Sequence, residues 1–98
     1  MTIKETNRAP AEKAAAAETM ALSALAWVLA DEARAVRLLD LTGLTPDQLR
    51  GGLHDRAILA AGLRFLESHE PDLIACAGGI GASAAEMVEA RRILEETA

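Results

Sequence analysis

The amino-acid sequence predicts an all-α protein: a compact bundle of five to six short helices with a long, centrally packed first helix. Three observations predict it. Alanine, the strongest helix former, is abundant, while strand-favouring aromatics are nearly absent, with one Trp, one Phe and no Tyr in 98 residues. Apolar residues recur at intervals of three and four, and nowhere alternate with period two over a strand's length. Capping residues and glycines punctuate the chain at helix-length intervals. A chain this long buries roughly two thirds of the surface its unfolded form exposes, enough for one core. That core must be built from Leu, Ile, Val, Met and Ala.

Residues 1–9 mix charged and polar groups without periodicity and read as a flexible N-terminal arm. Residues 10–98 read as a single helical domain. Pro10 suits the first turn of a helix, where its missing N–H costs nothing, and the first helix is expected to run to about Ala30, fraying through Ala14–Ala17. Leu22, Leu25, Ala26 and Leu29 form one apolar stripe, and Met20, Ala24 and Trp27 lie on the opposite side. A helix apolar all round is either central to its fold or meets a partner, so Met20, Ala24 and Trp27 are the candidate interface.

Asp31 is placed to cap a second helix, Glu32 to Thr42, with Val36 and Leu39 inward and Arg34 and Arg37 outward. Gly43 stands where a helix end wants a left-handed residue. Thr45, Pro46 and Gln48 spell a capping box for a short third helix ending at Gly51-Gly52. Asp55 caps a fourth helix to about Ser68, with Ile58, Leu59, Gly62, Phe65 and Leu66 on its apolar arc. Pro71 opens a fifth, expected to end near Ala77 because Gly78-Gly79-Ile80-Gly81 reads as a break. Ser83 and Glu86 make a second capping box, starting a last helix to about Glu96 with Met87, Ala90, Ile93 and Leu94 buried. The connections at Gly43 and Gly81 echo each other: glycine, an apolar residue, then a capped helix start.

The stretch from about Leu22 to Leu94 resembles a family of short bacterial proteins, the domain of unknown function family 3572. The resemblance rests on the order of four segments: Ala24-Leu25-Ala26-Trp27-Val28-Leu29-Ala30, Leu38 to Arg50, Ile58 to Leu66, and Ala90-Arg91-Arg92-Ile93-Leu94. It implies a compact helical fold and no activity. Ala57, Ala61 and Gly62 are smaller than the family pattern implies.

Charge narrows the function classes. A net charge of −5 and a pI near 4.9 disfavour nucleic acid and anionic membrane as partners. Met20 to Ala30 is too short to span a bilayer, which takes about 20 apolar residues, and the acidic Glu12 and Glu18 ahead of it do not suit a secretory signal. Cys76 has no internal partner and sits among apolar neighbours, as a small core residue does. The expected location is the cytoplasm.

Other candidate sites are weak. His54 and His69 flank the fourth helix at opposite ends, about 20 Å apart, and cannot share one ion. Glu67, His69, Glu70 and Asp72 could hold a cation weakly, but a zinc-type His spacing is absent. Gly78-Gly79-Ile80-Gly81 lacks the strand and Gly-Lys-Ser/Thr ending of a phosphate loop. The second and third helices could be read as a helix-turn-helix, with only Gln48 and Arg50 to reach bases. Arg91 and Arg92 lie among glutamates and read as a solvated, ion-paired face. No nucleophile and base stand at motif spacing. The expectation is therefore a non-enzymatic protein without cofactor or metal, acting on a protein partner or on itself. The alternatives are a ligand-binding or catalytic site near His54 or His69, and a nucleic-acid binder.

Overall fold

The computed structural model describes residues 10–97. The N-terminal arm expected over 1–9 lies outside the described residues. Six helices form within them: α1 (Pro10–Leu29), α2 (Glu32–Thr42), α3 (Pro46–Gly51), α4 (Arg56–Glu67), α5 (Glu70–Ile80) and α6 (Ala84–Thr97). Among the described residues there is no strand, and the expected all-α bundle is what forms.

Four of the helices, α2, α3, α4 and α6, start at a side-chain cap visible in their residues. Asp31 accepts the Arg34 N–H at 2.9 Å to cap α2. Thr45 and Gln48 close a reciprocal capping box at α3, with side-chain bonds of 3.0 and 2.9 Å. Asp55 accepts the Ala57 N–H at α4, and Ser83 with Glu86 closes a second box at α6. The two echoing connections are equivalent in space. Gly43 and Gly81 both have φ 75°, the left-handed conformation that lets each helix end turn sharply into the next cap.

The long α1 is the central element. It packs most extensively against α6 and α4, and also touches α5 and α2. Its buried face is an alanine ladder, Ala14, Ala17, Ala21 and Ala24, joined by Leu25 and Val28. Small side chains let the neighbouring helix axes approach closely, so a core with Phe65 as its one buried aromatic among the described residues still closes. Most of the largest fully buried side chains, Leu38, Leu59, Leu63, Leu66, Met87 and Leu94 among them, come from the surrounding helices, with Val28 of α1 beside them.

Four expectations are corrected. Ala14 and Ala17 are buried helical residues, not a frayed end, because α6 and α4 cover them. The apolar stripe of α1 is rotated: Ala26 and Leu29 face outward and the alanines face in. In α2 it is Leu38 that is buried, while Val36 is 52% exposed and Arg34 and Arg37 turn toward the rest of the fold. Finally, α5 does not break at Gly78. It continues to Ile80, and only Gly81 ends it, with Ala82 N–H bonding back to the Ala77 carbonyl at 2.8 Å.

Candidate functional site

The three residues of the candidate interface do not share a surface. Ala24 is 1% exposed and belongs to the core, a correction that takes it out of any surface. Met20 is half-buried and lines an open cleft of ≈ 380 Å³ between α1 and the α5–α6 turn. Ala16 and Ser23 of α1, Ile80 and Ala82 of the turn, and Glu86 complete its walls. Two of its three polar side chains serve local structure: Glu86 accepts the Ser83 N–H, and the Thr19 hydroxyl donates to the Ala15 carbonyl, while Ser23 is exposed on the cleft wall.

Trp27 sits elsewhere, half-buried between α2 and α5. The guanidinium carbon of Arg34 lies 4.0 Å from the centre of its ring, a cation–π contact. On α5, Gly79 approaches so closely that a Cβ there would stand 2.8 Å from the indole Nε1. The missing side chain at Gly79 makes room for the tryptophan.

Arg34 is held in place by Asp72, a buried carboxylate in the first turn of α5. Asp72 accepts hydrogen bonds from Arg37 Nη2 at 2.9 Å and Arg34 Nε at 3.4 Å, with His69 Nδ1 at 3.1 Å from the same carboxylate. Arg37 in turn lies 5.8 Å from the centre of the Phe65 ring. One carboxylate thus orients two arginines, each beside one of the chain's two aromatic rings. Burial pushes the Asp72 carboxyl up, but the hydrogen bonds from Arg37, His69 and Arg34 outweigh it and hold it below its ordinary value. Sequence reasoning missed this hub. The available signal was Arg34 and Arg37 at i, i+3 on one helix face, which is also how a solvated face reads.

The remaining candidates separate. Asp72 is taken by arginines and Glu67 by Arg91, at 2.9 and 3.1 Å, so the carboxylates near His69 do not converge on a cation position. Among the described residues no group of three or more His, Cys, Asp or Glu could hold a metal ion. His54 is exposed in the α3–α4 turn, at the far end of α4 from His69. Cys76 is fully buried, and burial pushes its thiol up to about 11. Gln48 is used in its capping box, and Arg50 pairs with Asp47. Arg92 pairs with Glu89 along α6 as its spacing implies, whereas Arg91 is largely covered and ties α6 to α4 through Glu67.

The profile of a family described as protein of unknown function (DUF3572) matches residues 14–97. The chain belongs to this family. In the DUF3572 fold seen here, the matched span takes in almost all of α1 and every later helix. No curated protein and no solved structure matches the chain. No single helix among the described residues is long and apolar enough to cross a membrane.

Proposed function

We propose that this DUF3572 protein is a non-enzymatic helical module that works by contact with another protein or with a second copy of itself. The observation that supports this most is the cleft containing Met20. It is open, five of its eight lining residues are apolar or glycine, and Thr19 and Glu86 already serve the helices that form it. Such a surface offers shape and apolar area rather than reactive groups. Neither histidine lines it, and Arg91 of the same helix as Glu86 is committed to Glu67 and Glu95. The lone buried thiol needs no oxidising environment, in keeping with a cytoplasmic location.

Ser23 is the position to test. It is exposed and lines the cleft, so Ser23→Arg fills the space without touching the core. Trp27 is unsuitable, since it supports Arg34 and packs on Gly79. Sedimentation velocity across a concentration series and affinity capture from host extract would be compared for the two proteins. Loss of self-association, or of a captured protein, in Ser23→Arg supports the reading. The same mass and the same captured set for both would overturn it.

A further inference from the structure

The ion pairs of the described residues balance almost everywhere. Arg50 has Asp47, Arg56 has Glu18, Arg64 and Arg91 share Glu67 and Glu95, and Arg92 has Glu89 and Glu96. The exception is Asp72, one carboxylate facing both Arg34 and Arg37, with His69 alongside. This is where, in an acidic chain, paired guanidinium groups outnumber their carboxylates.

The excess charge is accessible and oriented. The side chains of Arg34 and Arg37 are 29% and 46% exposed. Arg34 uses only Nε on Asp72 and Arg37 only Nη2, so the outer nitrogens of Arg34, and Nε and Nη1 of Arg37, donate to no group among the described residues. Asp72 holds both guanidiniums, and Arg34 also lies 4.0 Å from the centre of the Trp27 ring, so part of their side-chain freedom is already lost before binding. Leu41 continues the same face of α2. Arg34, Arg37 and Leu41 stand at i, i+3 and i+7, and Leu41, at 70%, is more exposed than Leu29, Val36, Leu53 or Ile74.

We propose that this ridge of α2, Arg34–Arg37–Leu41, docks a segment of a partner protein in which an acidic side chain is followed by an apolar one. The carboxylate takes the outward N–H groups of the two arginines, a geometry guanidinium forks recognise well, and the apolar residue covers Leu41. A protein segment fits better than nucleic acid. Glu32 and Asp40 on the same helix, and Glu70 beside His69, would repel a continuous run of phosphates but leave room for one carboxylate. This surface is separate from the Met20 cleft and does not depend on it.

Trp27 is the chain's one tryptophan and lies under Arg34, so its emission reports occupancy. The full chain would be titrated with a synthetic Trp-free peptide carrying one glutamate followed by leucine. Its glutamine counterpart, inorganic phosphate and a single-stranded DNA oligomer are the comparison probes. The acidic peptide should change Trp27 emission saturably, and added salt should weaken it. Arg37→Gln should weaken binding at least about tenfold, the loss of a charge-assisted contact. Leu41→Ser should weaken it less, and Ser23→Arg not at all. Should Arg37→Gln fail to fold, Arg37→Lys, which keeps the charge and loses the fork, replaces it. The proposal is overturned by an absent or non-saturable response, by equal binding of the glutamine peptide, by an unaffected Arg37 variant, or by tighter binding of phosphate or DNA.

Discussion

Two adjacent glycines show how much a single hydrogen-for-methyl exchange depends on its neighbours. Gly78 and Gly79 both lie inside α5, so alanine at either would gain about 1 kcal/mol of helix propensity. Nothing lies within 4 Å of a Cβ on Gly78, and Gly78→Ala should raise the urea midpoint accordingly. A Cβ on Gly79 meets the indole of Trp27 at 2.8 and 2.9 Å, and Arg34 over the ring hinders its retreat. Gly79→Ala should therefore lower stability, by about 1–2 kcal/mol net, despite the same propensity gain. Gly62, smaller than the family pattern implies, has only Leu25 Cδ1 nearby, at 3.6 Å, and Gly62→Ala should be tolerated or stabilising. Cys76 is the other residue-scale test. Its covered thiol, pushed up to about 11, should resist a disulfide reagent at pH 8 in the native protein and react at the rate at which the fold opens.

At the scale of the helix, the question is which face turns inward. The α2 pattern contains Val36, Leu38, Leu39 and Leu41, and more than one phase satisfies the spacing. The observed phase buries Leu38, leaves Val36 and Leu41 outside, and sends Arg34 and Arg37 toward Asp72. Leu38→Ala should cost about 2–5 kcal/mol, as a buried leucine does, and Val36→Ala should fall within about 0.5 kcal/mol of neutral. Urea unfolding of the two variants would separate the phases, and equal costs would refute the observed one. Helix starts, by contrast, were legible. Asp31, Thr45, Asp55 and Ser83 act within three residues of themselves, so their roles do not depend on what packs against the helix.

At the scale of the molecule, ion pairs fasten helices that are distant in sequence. Asp72 joins α5 to α2, and Glu67 with Glu95 joins α4 to α6 through Arg64 and Arg91. Both Asp72 and Glu95 have folded-state values held below the ordinary carboxylate range, chiefly by hydrogen bonds from arginine. A carboxylate lowered on folding contributes stability that is fully present above its unfolded value and is lost as pH falls through its folded value. Stability should therefore stay level in this respect down to about pH 4–5 and decline below that. Asp72→Asn removes part of that acid decline and weakens the α2–α5 link by about 1–3 kcal/mol, a figure tempered by the partial exposure of both arginines. Urea unfolding of both proteins from pH 7 to pH 3 would measure it. A parallel acid decline in the variant would show that Asp72 is not responsible.

By itself the sequence determined the all-α class, the helix starts and the turns at Gly43 and Gly81, because propensity and capping act over a few neighbouring residues. It also determined that the core would be mainly aliphatic, with Phe65 its aromatic exception. Only the tertiary structure decided that α1 turns its alanines inward, that α5 runs on through Gly78 and Gly79 with Gly79 against Trp27, and that Asp72 gathers Arg34 and Arg37. Each of those depends on an element far along the chain, and one residue's spacing carries no record of what will pack against it. The Met20 cleft is of the same kind: its walls come from two separate stretches of chain, brought together only when α5 and α6 close over α1.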